Sequence, residues 1–278
     1  MFDRELSLRD CCPDRMAYLE FLLLFIGIPA VFFVVLIAIL RRLGYELPNS
    51  LQAWPALPVV GGHVLLALLY TTPWDNYLVA TRVWWYDPDL VLGITFGYVP
   101  LEEYLFFVGQ TSLLGLALLA AARLLPRPAF VFPSRPRLRL FSAGLTLSLW
   151  LFGVFLLGMG QPPATYLGLE LVWGMFPISV QLAFGADILW HYRGVVLWTL
   201  LPGTFLLSLA DALAIQSGTW TIDPQQSLGF AFGGNLPLEE SIFFLLTTSM
   251  VVFGVTLMIA RESHERARWI PGSLRNPQ

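Results

Sequence analysis

At 278 residues, with 56% hydrophobic and only 13% charged side chains, the chain is too apolar for an ordinary soluble domain, where about a quarter of residues carry charge. Its mean hydropathy of +0.68 points to lipid as the solvent, and its net charge of −3 gives no footing for a nucleic-acid partner. All 16 basic residues are Arg, so any mechanism that needs a lysine, a retinal Schiff base included, is excluded.

Residues 1–16 form a mixed-charge tail that holds the only two cysteines, the adjacent Cys11 and Cys12. Neighbouring cysteines rarely pair with each other, and no Cys/His cluster has metal-ligand spacing, so no metal is expected. The apolar run that follows is too long for the h-region of a cleaved signal. Seven stretches reach the roughly 20 apolar residues of a membrane span: 17–40, 59–80, 100–124, 140–160, 164–189, 194–215 and 237–260. The second contains Gly61, Gly62, His63 and Pro73, and the sixth contains Pro202 and Asp211, all tolerable in membrane helices. Prolines and arginines in 125–139 mark an aqueous linker.

Seven spans put the termini on opposite faces. Arginines on the N-terminal side are Arg4, Arg9, Arg15 and Arg82; the other side carries the remaining 12 of the 16. The positive-inside rule then places the C-terminus in the cytoplasm and the N-terminus outside a cytoplasmic (inner) cell membrane.

The spans repeat. Tyr18-Leu19 and Pro29 recur as Tyr166-Leu167 and Pro177, at an offset of 148. Asp75, Trp84 and Asp87-Pro88 recur as Asp211, Trp220 and Asp223-Pro224, at 136. Pro100-Leu101-Glu102-Glu103 and Phe106-Phe107 recur as Pro237-Leu238-Glu239-Glu240 and Phe243-Phe244, at 137. The expected fold is all-α: a polytopic membrane protein of seven transmembrane helices in a parallel tandem repeat, 3+1+3. Its parts are a tail (1–16), a first three-helix unit (17–124), a linker with a linking span (125–163), a second three-helix unit (164–260) and a C-terminal tail (261–278).

Acids behind a proline at a helix start ordinarily cap the helix and complement its dipole. Ionisable groups at membrane depth are rare and usually functional, which favours a chemical role here. Consecutive glutamates point about 100° apart, so at most one of each pair squarely faces the interior. Glu102 and Glu103 lie one turn before Phe106 and Phe107. A carboxyl group in a dry, aromatic site can serve as a general acid or carry protons in transport, and the rings would stabilise a cation.

Other polar residues are weaker candidates. Glu20 and Glu170 do not match under the 148 offset, and His63 has no counterpart, which favours packing over ligation. Asp187 and His191 sit at a span end, and Arg266, Arg268 and Trp269 read as a membrane-surface anchor. No dinucleotide or phosphate-loop pattern occurs, so no cofactor is expected.

The doubled Pro-Leu-Glu-Glu-x-x-Phe-Phe, with its upstream Asp and Trp-x-x-Asp-Pro, resembles the membrane-integral lycopene cyclases in their fused form, from Tyr18 to Ala260. The resemblance implies cofactor-independent cyclisation of the ψ-ends of lycopene to ionone rings without net redox change. It implies a carotenoid drawn from the bilayer, surrounding membrane lipid, and other carotenoid-pathway enzymes as possible partners. Glu102 and Glu239 match the family's motif glutamate, with Glu103 and Glu240 beside them. Acid/base duty falls to one of these, with Asp75 and Asp211 in support. Trp84, Trp220, Phe106, Phe107, Phe243 and Phe244 would line the cation site. Tyr104-Leu105 stands where the second copy has Ser241-Ile242, so the halves are not chemically identical. Hydration of a carotenoid, or cyclisation of a longer one, is the alternative enzymatic reading; a 3+1+3 transporter is the non-enzymatic one.

Overall fold

The structure, a computed structural model, describes residues 15–126 and 132–267. Cys11, Cys12, Arg4, Arg9, Arg268 and Trp269 lie outside the described residues. Among the described residues, seven helices are long and apolar enough to cross a membrane. They are α1 (Tyr18–Arg42), α2 (Ala56–Ala80), α3 (Leu101–Leu124), α4 (Pro136–Gly158), α5 (Thr165–His191), α6 (Arg193–Ser217) and α7 (Leu238–Ile259); a short α8 (Arg261–Arg266) follows.

Proline explains where several boundaries move from expectation. α4 starts at Pro136 rather than 140, because a proline at the first helical position loses no hydrogen bond and is already at helical φ. Inside α1, Pro29 has no N–H to donate and its ring crowds the carbonyl four residues back. The chain accommodates it with a wider turn, a π-helical stretch over Leu22–Gly27. α6 stops at Gly218, whose φ of 77° is the left-handed C-terminal cap that glycine adopts without strain.

α3 and α7 form the centre. α3 packs against α1, α2, α6 and α7, and α7 packs against α5, α6, α2 and α3, while α4 rests mainly on α5. The outer helices α1 and α4 turn Leu, Val, Ile and Phe side chains outward, as lipid-facing helices do. Close packing is set by small residues. A Cβ on Gly109 would lie 2.5 Å from Ile26, and one on Gly174 would lie 2.8 Å from Leu246, so both helix pairs need the bare glycine.

The helical expectation needs one amendment: the connections from α2 to α3 and from α6 to α7 carry short strands. These are β1 (Trp84–Tyr86), β2 (Thr95–Phe96), β3 (Val99–Pro100), β4 (Trp220–Ile222), β5 (Ala231–Phe232) and β6 (Leu236–Pro237). β1 pairs antiparallel with β4, with Trp85 opposite Thr221, the residue 136 positions on. The other ladders, β2–β3 and β5–β6, fold each connection back onto the start of the next helix.

Candidate active site

The beginnings of α1, α3, α5 and α7 and the ends of α2 and α6 meet at one end of the bundle. Their backbone contacts come in matched sets. Tyr18 N donates to Leu90 O at 2.9 Å, and Tyr166 N to Gln226 O at 3.0 Å. Asp87 N donates to Thr219 O, and Asp223 N to Val83 O, each crossing into the other half of the chain. This lacing fixes where the side chains above it point.

All four motif glutamates are buried, yet the two of each pair face different surroundings. Glu102 Oε1 accepts the N–H of Leu92, and Glu239 Oε1 accepts that of Leu228 at 2.6 Å. They tie the folded-back connections to the helix starts. Glu103 and Glu240, about 100° round their helices, turn inward. Both stand on the wall of a single small cavity of about 40 Å³ that draws residues from both halves.

Each inward glutamate is held by a tyrosine from the neighbouring helix start. The Tyr18 hydroxyl donates to Glu103 Oε2, and the Tyr166 hydroxyl donates to Glu240 Oε1 at 2.6 Å. Sequence reading marked these tyrosines only as matched span starts; their 148 offset, equal to that of the prolines behind them, was the available signal. The Tyr86 hydroxyl adds a second donor to Glu103 Oε2 at 3.0 Å. Tyr86 sits in β1, where burial, then the charges of Asp75 and Glu103, push its phenol well above the ordinary tyrosine range. It therefore remains a donor. The position matching Tyr86 is Ile222, so Glu240 gains no such bond.

The aspartates differ too. Trp220 Nε1 donates to Asp211 Oδ1 at 2.9 Å, and Asp211 reaches the cavity wall. Asp75 is equally buried; the Trp84 indole lies near it as Trp220 lies near Asp211, but no donor among the described residues meets hydrogen-bond geometry at either oxygen. Glu170, four residues after Tyr166 on the same face of α5, is fully buried beside Glu240 and Glu239 with no protein donor on either oxygen. Its counterpart 148 residues earlier is Leu22. Glu20, by contrast, is exposed and accepts Ala17 N at 3.2 Å as a helix cap.

The rest of the wall is aromatic. Trp84, Trp220, Phe106, Phe243 and Phe244 all line the cavity, while Phe107 faces a neighbouring one. Trp220 packs on Tyr18 at a centroid distance of 5.0 Å, and Trp84 on Tyr166 at 5.4 Å, so each tryptophan serves the other half's tyrosine. Trp74 and Trp173, absent from the sequence-based set, stack at 4.4 Å, and both stack on Phe243.

Asp187 and Arg266 lie away from this centre. Arg266 grips Asp187 through two bonds of 2.8 Å, and Asp187 also accepts Arg135 N, so this pair ties α8 and the start of α4 to α5. Arg266 is thus an ion-pair partner within the protein. Among the described residues no group of three or more His, Cys, Asp or Glu side chains is arranged to hold a metal ion.

Comparison with known proteins follows the same division. A sequence model of the family described as lycopene cyclase matches residues 16–121 and again 163–258. The chain is 36% identical over 242 residues to a lycopene beta-cyclase of Halobacterium salinarum, covering 87% of this chain and 95% of that protein. It is 34% identical over 205 residues to a bifunctional lycopene cyclase/phytoene synthase of Podospora anserina, covering 71% of this chain. The chain spans about a third of the length of that protein and of the matching bifunctional proteins of Leptosphaeria maculans and Aspergillus niger. No solved structure matches it.

Proposed function

The chain belongs to the lycopene cyclase family, and from that premise we propose that it closes the acyclic ends of lycopene into ionone rings by acid–base chemistry, without a redox step. The observation that carries this reading is the convergence of Glu103 and Glu240, each gripped by a tyrosine, on one aromatic cavity inside the helix bundle. Cyclisation needs a proton donor, a proton acceptor, cation-stabilising faces and a dry site, and the cavity offers all four.

The balance is simple. A proton adds to C2 of the terminal C1=C2 bond and leaves a tertiary cation at C1. The C5=C6 electrons form the C1–C6 bond, moving the cation to C5. Loss of a proton from C6 restores a double bond and gives the β ring, the form named for the Halobacterium relative. One proton enters and one leaves, so substrate and product are isomers.

The hydrogen-bond inventory supports a division of labour. An ionised carboxylate only accepts, so it needs donors. Glu103 has two phenols on one oxygen and is assigned the proton acceptor. Glu240 and Glu170 have a single protein donor between their four oxygens, which suits the side that begins with the proton. Glu240, on the cavity wall, is the donor, and Glu170 is its reserve. Asp211 and Asp75 support the two sides, and the faces of Trp84, Trp220, Phe106, Phe243 and Phe244 hold the cation. Glu102 and Glu239 keep the connections in place.

The same reading takes the chain as a parallel 3+1+3 repeat, supported by the twofold family match and the matched contacts. It places the protein in the cytoplasmic membrane with the N-terminus outside, supported by the arginine bias. Expression in a lycopene-accumulating host tests the function: ring-bearing products support it, hydroxylated acyclic products point to a hydratase, and unchanged lycopene rejects both. Glu103→Gln and Glu240→Gln should each abolish ring formation; if both leave it intact, the site is misassigned.

A further inference from the structure

The cavity at Glu103 and Glu240 is far too small for a carotenoid, so most of the substrate must lie elsewhere. Two larger cavities lie in line with it, the nearer one separated from it by the ring of Phe243. One of about 270 Å³ begins at Phe243, which it shares with the carboxylate cavity, and runs between α2, α3, α5 and α7 past Ala67, Thr111 and Met250. The next, of about 610 Å³, shares His63, Leu66 and Gln181 with it and ends at Trp54 and His264, beyond the far end of α7. From Glu240 to Met258 the helix rises about 27 Å, close to the thickness of the hydrocarbon layer. Two of the amide side chains along this path are bonded within the protein: Gln110 Nε2 donates to Thr247 Oγ1, and Gln181 Nε2 to Met250 O. With the Phe243 ring turned aside, the three cavities would join into a long, thin, largely apolar passage.

The opposite side of the bundle does not have it in the same form. Ala67 and Val251, on the wall of the middle cavity, correspond to Gly203 and Leu114. There a Cβ on Gly203 would lie 2.6 Å from Leu114 Cδ2, so α6 and α3 are in direct contact where α2 and α7 leave space. Gln181 likewise corresponds to the bulkier Phe33.

Resting on the cyclase reading above, we propose that this passage is the binding site for one linear polyene, its ψ-end in the carboxylate cavity and its tail running along α7 to the far face. One passage and one cavity then serve the two ends in separate binding events. The monocyclic product must leave, reverse and bind again, so free monocyclic carotenoid should precede bicyclic product in the time course.

The test uses the full-length protein in vesicles. Wild type is assayed with lycopene and with a truncated ψ-ended polyene too short to reach residue 67. Ala67→Trp should cut lycopene conversion at least tenfold and leave the short substrate within twofold of wild type. Met250→Trp repeats the plug from the facing helix, and Leu69→Trp, on the lipid side of α2, should change neither substrate. As an independent reading, folded Glu240→Gln protein should bind one lycopene per chain with induced circular dichroism in the polyene band, and the plug should remove that signal. Wild type that leaves lycopene uncyclised overturns the cyclase reading. Wild type that cyclises it while both plugs are as active on lycopene as wild type, or while two lycopenes bind per chain, overturns the passage alone and leaves it to a bilayer acyl chain.

Discussion

Replacing Tyr166 with Phe removes one hydroxyl and almost no volume, yet it takes away the protein donor that Glu240 has. If Glu240 delivers the proton, this bond changes character during the reaction. It begins as a neutral contact worth about 0.5–1.5 kcal/mol and ends as a charge-assisted one worth about 1.5–3 kcal/mol. The gain of about 1–2 kcal/mol belongs to the transition state, so its loss should slow turnover by about 5–30-fold. Tyr18→Phe is the matched control. Glu103 starts as the acceptor and keeps Tyr86 at 3.0 Å, and a bond weakened in the ground state does not slow the step that neutralises the charge. That loss should stay under about threefold. Initial rates of lycopene consumption by purified protein, separated chromatographically and normalised to folded enzyme, measure both. Equal losses, or a larger loss for Tyr18→Phe, would refute the donor–acceptor assignment even if the protein proves to be a cyclase.

Other substitutions separate the roles of the remaining carboxyl groups. Glu170→Leu installs the residue found at the matching Leu22; it should fold normally and, with the reserve proton gone, slow turnover about tenfold, about 1.4 kcal/mol of transition-state stabilisation, as single-turnover measurement would reveal. Glu102→Gln keeps an acceptor for Leu92 N and should retain most activity, whereas Glu102→Leu removes that bond and should lower thermal stability by about 0.5–1.5 kcal/mol. Arg266→Ala leaves Arg139, 3.9 Å away, as the one cation beside the buried Asp187 among the described residues, with the N–H groups of Arg135 and Ile188 still donating, and should cost stability near the lower end of about 3–5 kcal/mol while leaving the activity of the folded protein intact.

How much of this could be read beforehand depends on the range of each interaction. The spans were legible because hydropathy is a property of contiguous residues, and the structure moves their ends by only a few positions where prolines permit. The matched offsets were legible for the same reason, being chemical identity at fixed spacing. Neither reveals which of two adjacent glutamates faces a cavity. Helical geometry says only that they diverge; the folded-back strands β2–β3 and β5–β6 decide the matter by bringing Leu92 N and Leu228 N to Glu102 and Glu239. Tyr18 and Tyr166 were visible as a matched pair but could not be joined to glutamates 85 and 74 residues away without the packing of α1 on α3 and of α5 on α7.

Residues without counterparts were the least legible, and they are where the two halves part company. Repeats single out agreement: Glu170 has no match in Leu22, and Tyr86, part of an aromatic turn but not a site candidate, has none in Ile222. A reaction that takes up a proton at one carbon and gives one up at another gains nothing from two identical carboxyl groups in one cavity. It needs one rich in donors and one poor in them. In the proposed reading Tyr86 and Glu170 supply that difference from opposite halves, Tyr86 on the cavity wall and Glu170 beside Glu240. On that proposal the doubled motif builds the frame, and the departures from symmetry give its two glutamates separate work.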